Sequence, residues 1–262
     1  MKVVVITGST RGLGLGLAQA FLQMGCAVSI SGRTAEYVRS SSESLARQFG
    51  RDRVLGCVCD VRDDRQVQNL WDTSRQVFSK VDIWINNAGI SNPLGKFWDQ
   101  SEGTMSDLVD TNILGTMYGS KTALRGMLTQ GYGAVYIMLG LGSSGRMQDG
   151  LMLYGTSKSA LRYFTRALAE ETKGTSIVVG ALSPGMVLTE MLTSHRRTSP
   201  QTWENVKRVL NLFGGRVETV APWMAKRILE NKKNGVEIRW LTFPRLIGRL
   251  ATYPFNRSRV VK

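Results

Sequence analysis

Short apolar runs alternate along the chain with stretches whose apolar positions recur every three or four residues, the pattern of repeated βα units around a parallel sheet. The pattern predicts strands over Val3–Ile6, Ala27–Ser31, Arg53–Cys59, Val81–Asn86, Ala134–Leu139 and Ser176–Leu182. Helices are expected to open at about Gly12 and to cover Tyr37–Phe49, Met105–Thr129 and Leu153–Lys173. The whole reads as α/β: a doubly wound, mostly parallel sheet of about seven strands with helices on both faces. No internal repeat, low-complexity tract or linker divides the 262 residues, so a single domain over 1–262 is expected. The irregular exception is Pro184–Gly215, rich in Ser, Thr and Arg, a candidate lid because long loops in compact domains are usually functional.

The first strand runs into Thr7-Gly8-Ser9-Thr10-Arg11-Gly12-Leu13-Gly14 and then a helix. Its glycines let the backbone turn sharply and approach a pyrophosphate, while the opening helix aims its free N–H groups and positive dipole end at the same anion. The spacing, Thr-Gly-x-x-x-Gly-x-Gly, is one residue longer between the first two glycines than the usual dinucleotide fingerprint. Strand two ends in Ser31-Gly32-Arg33-Thr34, where a site for NAD tends to offer an acid to the ribose. Arg33 can instead bind a 2′-phosphate bidentately, with Arg11 as a second cation, so NADPH is the expected cofactor.

Composition narrows the chemistry. Hydrophobic residues at 42% and charged residues at 21% describe an ordinary globular protein, and no apolar run reaches the ~18 residues of a spanning helix. Met1-Lys2 is followed by four apolar residues and then polar turn residues, so the start reads as strand one rather than a signal peptide. A cytoplasmic location, with at most peripheral membrane contact, is the expectation. Cys26, Cys57 and Cys59 lack metal-ligand spacing, and His195 is the single histidine; no metal site and no histidine-based triad are expected. The net charge of +14 calls for an acidic partner, such as a membrane face, a carboxylated substrate or nucleic acid bound nonspecifically, or else marks a solvated basic surface. Sequence-specific nucleic-acid binding is not expected, because no recognition motif accompanies the charge.

Tyr154 and Lys158 stand four residues apart on an expected helix and so share one face. A neighbouring ammonium favours phenolate and lowers the phenol's pKa from about 10 toward the working range of a general acid/base.

Four stretches in order carry a resemblance: the glycine loop, Asn86-Asn87-Ala88-Gly89, Tyr154-Gly155-Thr156-Ser157-Lys158, and Ser183-Pro184-Gly185. Together they resemble the short-chain dehydrogenase/reductase family over most of the chain, which implies a Rossmann fold and carbonyl or alcohol oxidoreduction. The resemblance implies that Asp60 and Val61 meet the adenine and that Asn87, with Ala88 and Gly89, holds the strand-four end near the cofactor. It implies that Pro184, Gly185, Val187 and Thr189 bind the cofactor, with Thr189 on the nicotinamide carboxamide. Lys158 would also bind the nicotinamide ribose, and Asn112 would support a water relay. The family's carbonyl-binding serine usually lies thirteen residues before the tyrosine, where this chain has Leu141. Ser143 and Ser144 are the nearest candidates, and Ser143 is preferred because flanking glycines can bring its hydroxyl back to the carbonyl.

The stretch Gly140-Leu141-Gly142-Ser143-Ser144-Gly145, the run from Ser183 to Leu192, and Leu241-Thr242-Phe243-Pro244-Arg245 are similar to the chlorophyll(ide) b reductase branch. That similarity implies NADPH-dependent reduction of the C7 formyl group of chlorophyll(ide) b to a hydroxymethyl group. Reduction or oxidation of another bulky apolar carbonyl or alcohol stays open, as does a noncatalytic NADPH-binding sensor. In the basic extension 241–262, Phe243, Leu246, Ile247 and Leu250 fall on one helical face beside Arg245 and Arg249. This suits a helix on an anionic membrane or one packed on the domain or a second subunit. A homo-oligomer is expected from the resemblance alone.

Overall fold

The computed structural model of the chain describes residues 1–190, 207, 210, 211 and 213–242. Seven parallel strands form one sheet: β1 (Val3–Ile6), β2 (Ala27–Gly32), β3 (Val54–Val58), β4 (Ile83–Asn86), β5 (Gly133–Met138), β6 (Ile177–Ser183) and, last in the chain, β9 (Val236–Arg239). Their order in space is β3-β2-β1-β4-β5-β6-β9. The chain builds outward from β1 to β3, then crosses back to β4 and builds the other half, so the order reverses between β1 and β4. The crevice outside the carboxyl ends of those two strands is where such sheets bind ligands.

Both faces of the sheet are covered. Val4 and Ile6 point into one core with Leu17, Phe21 and Ile30, beneath α1 (Gly12–Gln23). Val5 points the other way, into a core with Trp71, Trp84 and Val135 beneath α3 (Asp64–Phe78) and α5 (Gly115–Gln130). Burial on both faces explains why β1 reads as an unbroken apolar run rather than an alternating one. Each of its four side chains contributes about 1.5–3 kcal/mol by leaving water.

Several elements depart from the sequence reading. Helix α2 begins at Ala35 (Ala35–Phe49), and the edge strand β3 is shorter than expected, with Val58 exposed. Helix α3 was not anticipated. It buries Val67, Leu70, Trp71 and Ser74, and Asp63 caps it by accepting from the Arg65 N–H. The fourth member of that apolar face is a serine whose hydroxyl reaches Ser29 Oγ at 2.8 Å, which disguised the periodicity. The expected helix Met105–Thr129 is three pieces: α4 (Glu102–Leu108), a π-helical turn (Val109–Leu114) and α5.

Helix α6 (Met152–Glu171) follows β5, and α7 (Val217–Glu230) packs on α1. The expected lid is tied at its base by a small parallel pair, β7 (Val187–Leu188) and β8 (Gly215–Arg216). Residues 191–206, His195 among them, lie outside the described residues, as do Phe243, Leu246, Ile247 and Leu250 of the expected amphipathic extension. Among the described residues, no helix is long and apolar enough to cross a membrane, and no group of three His, Cys, Asp or Glu could hold a metal ion. The three cysteines are free and buried, and burial pushes the Cys59 thiol up to about 12.

Candidate active site

The glycine turn after β1 is pinned from both neighbours. Ser9 exchanges bonds with Ser31 at the end of β2, its own N–H reaching Ser31 O at 2.8 Å and its hydroxyl accepting the Ser31 N–H at 2.9 Å. On the other side the Thr7 hydroxyl accepts the N–H groups of Asn87 and Ala88, and Asn87 Nδ2 donates back to Thr7 O and Gly8 O at 2.9 and 2.8 Å. Thr7 and Ser9 are fully buried in these bonds, so their side chains shape the turn rather than face the groove. Gly8 and Gly12 take left-handed conformations, φ +60° and +58°. A Cβ on Gly8 would stand 2.7 Å from Ala88 Cα, so only glycine lets the turn lie this close to the end of β4. A Cβ on Gly14 would stand 2.6 Å from Gly8 O, which makes this glycine a packing requirement of α1.

Helix α1 opens after Arg11 without a side-chain cap, so its first N–H groups remain available to an anion. This cradle fits the pyrophosphate of a dinucleotide. Leu13, beside it, is half-buried and packs toward Val187 and Val220. At the end of β2, Thr10 lies over Gly32 and Arg33 is exposed, positioned to receive a phosphate. Arg11 does not join them. Its guanidinium bonds Glu190, at the base of the expected lid, at 2.9 Å in a pair exposed on both sides, which leaves Arg33 as the cation at the end of β2. Asp60 is likewise engaged: burial opposes its ionisation, but hydrogen bonds from Arg62 outweigh this and hold the carboxyl below its ordinary value. Val61 is buried beside Gly115. The segment 184–189 forms the facing wall, with Pro184 and Val187 buried, Gly185 at φ +70°, and Thr189 against Gly12.

The chemical centre lies where α6 passes the ends of β4 and β5. Lys158 is 3% exposed; its Nζ donates to Met138 O at 3.1 Å and lies 5.6 Å from the centre of the Tyr154 ring. Gly89 fits between Lys158 and Asn112: a Cβ there would stand 3.5 Å from Lys158 Nζ and 3.2 Å from Asn112 Oδ1. Asn112 sits in the π-helical turn, fully buried. Its amide donates to Ile90 O and Ser157 Oγ and accepts the Ile90 N–H, while its main-chain carbonyl accepts the Thr116 hydroxyl at 2.7 Å. Its side chain is thus spent on protein partners.

The expected lowering of the tyrosine pKa is overturned. Burial pushes the Tyr154 phenol up to about 12 and the Lys158 ammonium down to about 8. Desolvation by the surrounding protein atoms disfavours both charged forms, although Tyr154 as a whole residue is only half-buried whereas Lys158 is fully enclosed. The loop 140–145 folds in two turns against α6, with the Ser143 N–H reaching Gly140 O and the Gly145 N–H reaching Gly142 O. A methyl group on Gly140 would collide with Tyr154 Oη, and one on Gly142 with the backbone of Gly155. Ser143 is buried on this loop whereas Ser144 is exposed.

Sequence reasoning did not single out Asn92, which bonds the Tyr154 N–H at 3.1 Å from the loop after β4. It also missed the exposed apolar residues Phe97, Trp98, Met147 and Met152, carried on that loop, on the loop after β5 and on the start of α6. The two loops are tied by Lys96 and Asp149, 3.0 Å apart.

The family model for short chain dehydrogenase matches residues 2–200. The chain is 34% identical over 261 residues to a chloroplastic chlorophyll(ide) b reductase of Oryza sativa subsp. japonica, covering 95% of this chain and 75% of that one. It is 31% identical over 272 residues to the Arabidopsis thaliana protein named "Probable chlorophyll(ide) b reductase", covering 98% of this chain and 54% of that one. The chain therefore spans about half the length of that relative. Among solved structures, a variant of actinorhodin polyketide ketoreductase with NADPH superposes with a TM-score of 0.81 at 27% identity, covering 91% of this chain and 95% of that one. The glycine turn, the tyrosine–lysine pair and these likenesses agree: the chain belongs to the short chain dehydrogenase family.

Proposed function

We propose that the chain is an NADPH-dependent carbonyl reductase whose substrate is the C7 formyl group of chlorophyll(ide) b, converted to a hydroxymethyl group. The observation that carries the reading is the Tyr154 hydroxyl held against Gly140, with buried Lys158 fixed on Met138 O beside its ring. A phenol whose pKa is pushed up to about 12 keeps its proton at neutral pH, so Tyr154 acts as the acid that protonates a developing alkoxide. Lys158 then stabilises the phenolate left behind, and the Ser143 hydroxyl supplies a donor to the carbonyl oxygen.

NADPH, when bound, supplies the hydride to the carbonyl carbon. The Gly8–Gly14 turn and the start of α1 would hold its pyrophosphate, Thr10 and Arg33 its 2′-phosphate, and the wall 184–189 its nicotinamide. The pigment assignment rests on the similarity to chlorophyll(ide) b reductases over nearly the whole chain. It also rests on the exposed apolar side chains of Phe97, Trp98, Met147 and Met152, on and beside the two loops that Lys96 and Asp149 tie together, which suit a broad apolar molecule.

The test is incubation of the purified protein with chlorophyll b and chlorophyllide b and either NADPH or NADH, following products by chromatography beside Tyr154→Phe. A 7-hydroxymethyl product, formed faster with NADPH and lost by about 10² or more in the variant, is the expected result. No pigment product, with another bulky aldehyde or ketone reduced, would transfer the assignment to that substrate. NADPH binding without turnover of any carbonyl would sink the catalytic reading.

A further inference from the structure

Helix α6 carries both Tyr154 and Lys158, yet its own N-terminus is poorly equipped to hold them still. Its N-cap is Leu151, which offers no side-chain acceptor, and its first turn contains no acid. The N–H of Tyr154, third residue of the helix, is the group an N-cap side chain would ordinarily satisfy. Here the acceptor comes from 62 residues earlier: the Tyr154 N–H donates to Asn92 Oδ1 at 3.1 Å.

Asn92 makes two further bonds, donating from Nδ2 to Pro93 O at 2.8 Å and to Gly150 O at 2.9 Å. Its orientation is fixed by chemistry, since the two carbonyls demand the amide nitrogen and the N–H demands the oxygen. At 2% exposure it is buried with every bond made inside the protein. One side chain therefore joins the loop after β4, the last residues before α6, and the first turn of α6. The adjoining Gly95 N–H to Gly150 O bond and the Lys96–Asp149 pair close the same seam from outside.

We infer that Asn92 is a positioning residue for the reduction, holding the backbone of Tyr154 so that its hydroxyl stays against Gly140 and above Lys158. The inference rests on the catalytic role proposed for Tyr154. With that tether cut, the first turn of α6 frays, the phenol gains access to water, and its distance from the reacting oxygen is no longer set.

Two variants separate positioning from stability. Asn92→Leu keeps the branched shape, in a somewhat larger side chain, and removes all three bonds; Asn92→Asp keeps the acceptor for the Tyr154 N–H and loses the two donors. The tyrosines are labelled with ¹³C at Cζ, and each protein is titrated by NMR, melted, and assayed for carbonyl reduction with NADPH. In the wild type the Tyr154 phenol is expected to keep its proton up to about 12, and in Asn92→Leu to titrate closer to the ordinary phenol value of about 10. For the same variant kcat is expected to fall about tenfold or more while the KM for NADPH stays within about twofold. Asn92→Asp is expected to recover most of kcat, whatever its melting temperature.

A wild-type Tyr154 titration in Asn92→Leu, or a loss of kcat that Asn92→Asp shares in full, would overturn the inference. A wild-type protein that reduces no carbonyl counts against the function proposed above, and the Tyr154 titration then decides the role of Asn92 by itself.

Discussion

A single absent methyl group sets where the acid of this site stands. Gly140 faces Tyr154 Oη so closely that alanine there would displace the hydroxyl. Gly140→Ala is therefore expected to lower kcat by about tenfold to a hundredfold with cofactor affinity unchanged, because the change touches the proton donor and not the groove. Steady-state kinetics with a reducible carbonyl and a fluorescence titration with NADPH would check it; unchanged kcat would mean the hydroxyl is free to choose another position. At this scale the sequence was informative where chemistry follows from spacing along one helix, as for Tyr154 and Lys158. It was misleading where a residue's partners lie on other strands. Thr7 and Ser9 read as cofactor contacts and are instead buried staples of the turn, and Arg11 is paired with Glu190.

Among the elements, α1 and α7 pack closely enough that Gly16 has no room for a side chain: a Cβ there meets Val217 and stands 3.2 Å from Ala221. Gly16→Ala should therefore destabilise the fold despite alanine's better helix propensity, by about 1–3 kcal/mol through overpacking. That corresponds to a drop in Tm of roughly 2–10 °C, readable by calorimetry. A rise in Tm would show that α7 can slide away at no cost. Amphipathic periodicity revealed the long helices, but α3 escaped because the buried Ser74 takes an apolar position. The π-helical turn escaped because it depends on Asn112 reaching Ile90, 22 residues away along the chain.

For the molecule as a whole, the buried Lys158 is a cost carried by the fold. It makes no ion pair among the described residues, and its pKa falls from 10.5 to about 8 by burial. Between about pH 8 and 10.5 the unfolded chain holds a proton that native Lys158 has released, so stability rises with pH across that window. From about pH 10 to 12 the sign reverses, because native Tyr154 keeps a proton that the unfolded chain gives up. The lysine charge then costs about 3 kcal/mol at neutral pH. Lys158→Met is expected to abolish activity, to raise stability at pH 7 by about 1–3 kcal/mol, and to flatten the rise between pH 8 and 10. Urea unfolding at several pH values would read this, and an unaltered pH slope in the variant would refute it.

The amino-acid sequence by itself determined the alternation of strands and helices, the glycine turn at the first crossover, and the tyrosine–lysine pair. These are local: a strand announces itself by its apolar run, a helix by its period, and a shared helix face by a spacing of four. Tertiary structure alone decided that the tyrosine's pKa rises instead of falling, that Arg11 turns to Glu190, and that Asn92 caps the helix bearing Tyr154. Each of these depends on burial or on partners far apart along the chain. Neither burial nor a distant partner leaves a periodic trace in the order of residues.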